Sequence, residues 1–167
     1  MAVLVGRQGF LNVGAETTWG TTAGSFPVYS RVNSIAISKS VTRVRKTNLS
    51  TSAANFQQTH FDSTSEVGGS VVLPLLYEGS GIFLKAALGD VSSTAGPAPF
   101  THTYEPDLDP PSLTIKANRG SGSAAVEEFT GMKISSMSIS GAAGEEVLAT
   151  FEFIGKDAST HAGTSAP

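Results

Sequence analysis

The sequence predicts a mainly β domain: a β-sandwich or partly closed β-barrel with one flanking α-helix. Three observations predict it. Short stretches in which apolar and polar residues alternate recur along the chain, as strands with one buried face require. Gly, Ser, Thr and Ala are abundant while only 15 % of residues are charged, a turn-rich composition suited to strands. A single stretch has helical spacing, so there is no βαβ alternation to build a parallel sheet.

The chain begins with a Gly- and Thr-rich stretch, GAETTWGTTAGSFPVYS. Residues 1–30 read as an extended arm, whose Phe10, Leu11, Val13, Trp19, Phe26 and Tyr29 are too apolar for solvent and predict docking on its own domain or a neighbour. The β-domain is expected over residues 31–157. In RVNSIAISKSV, Ile35 and Ile37 face one way and Ser34, Ala36 and Ser38 the other. Residues 42–66 are long and polar but carry Val44, Leu49, Phe56 and Phe61, which suggests a loop or projecting hairpin that orders on contact. GGSVVLPL reads as a strand whose Pro74 marks its end or a sheet edge. GIFLKAALG carries (i, i+4) apolar rows and a closing Gly89, which predicts a helix covered on most sides.

Gly89 to Pro99 reads as loop, and THTYEP and SLTIKAN as two strands around the turn DLDPP. EEFTGMKISSMSIS reads as a strand with a bulge near Ser135 and Ser136. The last strand is GEEVLATFEFIGKD. Val147, Ala149, Phe151 and Phe153 share one face, and Leu148, Thr150, Glu152 and Ile154 the other. That second face is too apolar for plain water, so it is expected to meet the arm, the helix or another subunit, or to expose Thr150 and Glu152 to a water-filled space. Residues 158–167 read as a flexible tail. The count is about six strands and one helix.

At 167 residues one domain is expected, large enough to bury about 70 % of its unfolded surface. The sequence has no cysteine, which removes disulfides, thiolate nucleophiles and thiolate zinc sites. Net charge is −3, unlike a protein that wraps nucleic acid. No signal peptide is read at the start, and no apolar run approaches the ~20 residues of a membrane helix.

His60, His102 and His161 lie far apart, and HExxH, EF-hand, GxSxG and P-loop patterns are missing. Glu105, Asp107 and Asp109 cluster, but further oxygen ligands for Ca²⁺ are not in view. Adjacent glutamates on a strand point to opposite faces and form no catalytic dyad. Neither enzyme activity nor a metal or cofactor is expected. Charge is laid out unevenly: Arg31, Lys39, Arg43, Arg45 and Lys46 precede an acid-rich region containing Glu105, Asp107, Asp109, Glu127 and Glu128. Either this is an ordinary solvated surface, or unlike patches on successive copies meet head to tail.

The order of segments resembles the tail tube (major tail) proteins of long-tailed bacteriophages. The resemblance is carried by GAETTWGT, SVVLPLL leading to GIFLKAALG, THTYEP, PSLTIKANRG, EEFTGMKISSMSIS and AAGEEVLATFEFIGKD, in that order. It implies a tail-tube fold whose copies form hexameric rings stacked into a hollow tube, with inner sheets joined into one barrel around a channel for double-stranded DNA. It also implies a virion component made in the host cytoplasm, with a terminator, a tape measure and a baseplate or tip as further partners, no membrane and no specific DNA binding. Many relatives are about twice as long and look like two such domains fused, so this chain implies rings of six single subunits.

On this reading Trp19, Arg43, Arg45, Lys46, Phe56 and Phe61 are candidates for contacts between subunits or rings, and Glu127, Glu145 and Glu152 for the channel lining. A conduit should not hold its polyanionic cargo, so its wall should be acidic or neutral. The alternatives are another ring-forming phage component, such as a tail terminator or head decoration protein, or a carbohydrate-binding β-sandwich. The last is poorly served by one Trp and three scattered Tyr.

Overall fold

The structure, a computed structural model, describes residues 10–30, 32–47, 58–76, 78–94, 101–118 and 126–161. Its elements are β1 (Phe10–Ala15), β2 (Val28–Ser30), β3 (Ser34–Thr47), β4 (Gln58–Pro74), α1 (Gly81–Leu88), β5 (Gly89–Thr94), β6 (Thr101–Pro106), β7 (Leu113–Asn118), β8 (Val126–Ser140), β9 (Leu148–Gly155) and β10 (Asp157–His161). One antiparallel sheet runs β2-β1-β7-β8-β9-β4-β3, with β10 beside β8, and β5 and β6 form a separate ribbon. The sheet curls into a half-barrel.

The alternation read from the sequence decides which face is inside. Val71 of β4, Phe151 and Ala149 of β9, Ile37 of β3 and Phe129 and Met132 of β8 all enter one buried cluster, joined by Leu11, Val13, Leu113 and Ile115. The helix lies on this core, burying Phe83 and Ala86. Phe83 stacks on Phe151 with ring centroids 5.2 Å apart. Gly89 ends the helix at φ 115° while its N–H reaches Lys85 O, a left-handed turn that a side chain would strain.

Several expectations are corrected. Phe10–Ala15, read as part of the arm, is an interior strand between β2 and β7, and its Leu11 and Val13 are buried. Gly89–Thr94, read as loop, pairs with Thr101–Pro106, so the DLDPP turn does not join two paired strands. Asp157–His161 reaches into the segment read as tail and pairs with Val126–Thr130 of β8. Val147, assigned to the core face, precedes β9 and is exposed. The segment 42–66, read as a loop or projecting hairpin, is not among these corrections: its described residues pair as the two strands of a hairpin, with the register of β3 and β4 shifting between Thr42 and Arg43.

Candidate assembly and conduit surface

Residues directly opposite in an antiparallel pair share a face. Rows across the four strands β3, β4, β9 and β8 therefore follow from the register. One row is Ser38, Gly68, Ile154 and Lys133; the next is Ala36, Ser70, Glu152 and Ser136; the third is Ser34, Val72, Thr150 and Ser138. These rows lie opposite the core. Among the described residues no layer covers the second face of β9: Ile154 is 64 % exposed, and Glu152 on the same face is exposed as well. The result is a wall of mostly small side chains, half of them serine or threonine.

Glu66, paired with Ser40, and Glu152 supply acid to this wall. Its one cation among the described residues, up to the register shift at Thr42, is Lys133, whose Nζ lies 2.8 Å from Asp109 Oδ1. That hydrogen bond, then the charge of Lys133, holds the Asp109 carboxyl below its ordinary value of 3.8. On the core side of the sheet Lys39, opposite Val67, pairs with Asp157, and the Lys39 hydrogen bond does the same for Asp157.

Towards β7 the same face of the sheet is covered, because residues 16–27 strap across it. Glu16 anchors this strap. Its Oε2 accepts from Gly20 N at 2.8 Å and Ser112 Oγ at 2.7 Å. Its Oε1 accepts from Thr114 Oγ1 at 2.8 Å and Gly131 N at 2.7 Å. Thr114 Oγ1 also accepts from Ala23 N at 3.0 Å. Gly131 is in the left-handed region at φ 67°, and its carbonyl accepts from Trp19 Nε1 at 3.2 Å. Lys156 Nζ stands 4.8 Å from the centre of the Trp19 ring. Further along, Lys116 and Glu128 form an ion pair at 3.2 Å, with Thr22 Oγ1 donating to Glu128 at 2.6 Å and the Phe26 ring 4.1 Å from Lys116 Nζ.

Glu16→Gln places an amide NH₂ where two N–H or O–H donors now end. Monomeric protein carrying it is expected to lose about 2–4 kcal/mol of unfolding free energy. Urea titration measures this, and a loss below about 1 kcal/mol contradicts the anchoring role.

Trp19 is 54 % exposed although its indole nitrogen is tied to β8. Arg43 and Phe61 lie on the projecting part of the β3–β4 hairpin, where Arg43 Nε bonds Asp62 Oδ1 at 3.1 Å and Phe61 is paired with Val44. Arg45 and Lys46 occupy β3, but their side chains, like the whole of Phe56, lie outside the described residues. Glu152 stands on the uncovered wall and Glu145 on the exposed turn before β9. Glu127 is half-buried and shares the core side with Ala117, its partner on β7, so the three glutamates do not converge. Sequence reading did not single out Glu66, Lys133 or the serine rows, and it took Asp109 as part of an acidic cluster, not as the partner of Lys133. The signal for the serines was present in NSIAIS and SSMSIS, where serine alternates with Ile or Met.

Asp107 and Asp109 do not build a cation site: Asp107 Oδ1 accepts from Leu108 N, and Asp109 takes Lys133. Among the described residues no three His, Cys, Asp or Glu side chains gather as metal ligands.

A family model described as phage tail tube protein matches residues 6–167. A search of curated proteins gave no match. Among solved structures, the baseplate of the anti-feeding prophage, 6-fold symmetrised, superposes with a TM-score of 0.52 at 9 % identity, covering 95 % of each chain. The tail of an empty GTA particle, in C6 symmetry, gives a TM-score of 0.49 at 13 % identity, covering 91 % of this chain and 96 % of that one. The virion of a native gene transfer agent particle gives 0.47 at 11 %, covering 91 % and 95 %. At such identities the first of these shows a shared fold.

Proposed function

The chain belongs to the phage tail tube protein family, a structural family and not an enzyme family, and from that premise we propose that six copies close into a ring, that rings stack into the tail tube, and that the tube carries the genome into the host. The chain is a structural part of the phage tail. The observation that carries the conduit reading is the uncovered wall of β3, β4, β9 and β8. Serine, glycine, alanine and threonine offer DNA neither bulk nor positive charge, and the one cation of the wall among the described residues is paired with Asp109. Duplex DNA binds most strongly to unpaired Lys and Arg, so this wall lets it slide.

Ring closure has a backbone route. Among the described residues β3 is paired only with β4, and the stretch 133–140 of β8 only with β9. These are the two open edges of the wall. Strand directions alternate across it, so β8 of one copy fits antiparallel beside β3 of the next. Open edges recruit strands, and joining two unlike edges is a heterologous contact that closes a ring when the rotation permits. The six-fold symmetry of the anti-feeding prophage baseplate, which shares the fold, supports six as the ring number. Synthesis in the host cytoplasm, and a terminator, a tape measure and a baseplate or tip as partners, complete the proposal.

Deleting Val44 to Ser63 removes the hairpin beyond the register shift while leaving the wall rows intact. The expected outcome is a folded monomer that no longer polymerises, with tubes from the parent chain seen by negative-stain microscopy at rising concentration. Normal tubes from the deletion overturn the role of the hairpin. Closed single rings or trimers from the parent chain overturn the tube and favour a terminator or decoration protein.

A further inference from the structure

A row of three polar side chains crosses the sheet under the strap. Asn12 of β1 stands opposite Lys116 of β7, and Lys116 stands opposite Glu128 of β8. Directly opposite residues in an antiparallel ladder share a face, with Cβ atoms about 4.5–5.5 Å apart. The lysine therefore has a carboxamide on one side and a carboxylate on the other. All three are shielded from water: Asn12 is 4 % exposed, and the side chains of Lys116 and Glu128 are 16 % and 2 % exposed. Lys116 Nζ lies 3.2 Å from Glu128 Oε2, and the Phe26 ring closes over it at 4.1 Å. Asn12 Oδ1 is buried with no hydrogen-bond partner among the described residues, which is uncommon for a buried polar atom. The lysine–carboxylate pairs elsewhere, Lys39 with Asp157 and Lys133 with Asp109, are more exposed and stand opposite Val67 and Ile154, not opposite an asparagine.

We propose that this row makes an amide bond within the chain, between Lys116 Nζ and Asn12 Cγ, with Glu128 as the general base. A lysine is a nucleophile only as the free amine, and a base that takes its proton must stand within about 2.6–3.2 Å. Glu128 Oε2 meets that requirement. The ammonium gives one proton to Glu128, and the amine attacks Asn12 Cγ. Collapse of the tetrahedral adduct breaks the Cγ–Nδ2 bond. A second proton from the attacking nitrogen passes to the departing NH₂, which leaves as ammonia, and the first proton stays on Glu128. The balance needs no oxidant and no further reactant. Both charges of the buried pair disappear in the same reaction, which removes the cost of holding them out of water. The neutral Glu128 carboxyl then offers the donor that Asn12 Oδ1 lacks. Side chains held side by side in a ladder already have the proximity such an attack requires. The bond ties β1, and the strap that follows it, covalently to β7. It concerns each copy by itself and does not rest on the tube reading.

Mass spectrometry of the full parent chain, folded and then denatured, is expected to read one ammonia below the mass of the sequence. A tryptic digest is expected to hold a branched peptide joining the segments around Asn12 and Lys116, with no cleavage after Lys116. Asn12→Ala and Glu128→Gln are expected to keep the full sequence mass and to melt roughly 10 °C lower or more, as loss of a cross-link over about a hundred residues does. Asn12→Asp is expected to bond with loss of one water instead of ammonia, a readout that a merely structural role for the row would not produce and that stands even where Glu128→Gln fails to fold. A folded parent chain at full sequence mass overturns the proposal, as does an ammonia loss that maps to Asn118 or any other site. Folded Glu128→Gln protein that loses ammonia at Asn12 as completely as the parent overturns the role of Glu128.

Discussion

Lys116→Ala is expected to cost up to about 3–5 kcal/mol of stability, because it removes the ammonium that stands 3.2 Å from Glu128 Oε2 in a site where the Glu128 side chain is 2 % exposed. Thr22 Oγ1 still donates to Glu128 Oε1, but a neutral hydroxyl does not supply the charge of an ammonium. The same substitution removes the cation facing the Phe26 ring, so the strap loses a second hold. In a domain of this length the loss corresponds to roughly 10 °C in melting temperature. The double variant Lys116→Met/Glu128→Leu separates pairing from packing. It removes both charges, keeps the volume and is expected to melt well above Lys116→Ala, since apolar replacement of a buried pair is often neutral or better. A double variant as unstable as the single shows that packing, not charge, holds the strap.

The parts of the fold that could be read from sequence are those whose own side chains state their environment. In β9, Ala149, Phe151 and Phe153 are buried and alternate with Thr150, Glu152 and Ile154, and two-residue periodicity is enough to assign both faces. The helix was legible for the same reason: Phe83 and Ala86 stand at (i, i+3) and go inward. The run failed by one residue at Val147, because alternation does not say where the ladder of hydrogen bonds stops. GDVSST and DASTH give no such pattern. They are strands because β6 and β8 supply partners, and a polar strand is decided by its neighbour.

The site was less legible than the fold. The strap depends on Glu16 reaching Ser112, Thr114 and Gly131, contacts between residues about a hundred positions apart. No local spacing encodes them, although GAETTWGT contains Glu16, Trp19 and Gly20 together. The wall was half visible. The serines beside Ile35 and Ile37 were read as a second face, but its extent across β4 and β8 is set by register, which a single sequence does not fix. Acidic residues drew attention as channel candidates, yet Glu127 goes to the core side and the wall's character comes from serine.

Ser138→Arg tests whether that wall is the conduit. Ser138 lies in the row with Thr150, Val72 and Ser34 and is exposed, and an arginine there has no carboxylate opposite it in its row. In a ring of six each ring gains that charge six times, and stacked rings repeat it along the duplex. Binding through Z phosphate contacts falls with salt at a slope of about −0.9Z, so 6–10 contacts change affinity roughly 10³–10⁵-fold between about 50 and 200 mM salt. Variant tubes are therefore expected to retain short duplex DNA at about 50 mM and release it at about 200 mM, while parent tubes retain none at either. Virions built from the variant are expected to eject their genomes more slowly at low salt. Ser138→Gln adds bulk without charge and should leave both measurements unchanged. Arginine tubes that bind no more DNA than parent tubes would place this face away from the cargo, because a repeated cation in contact with a polyanion cannot be silent.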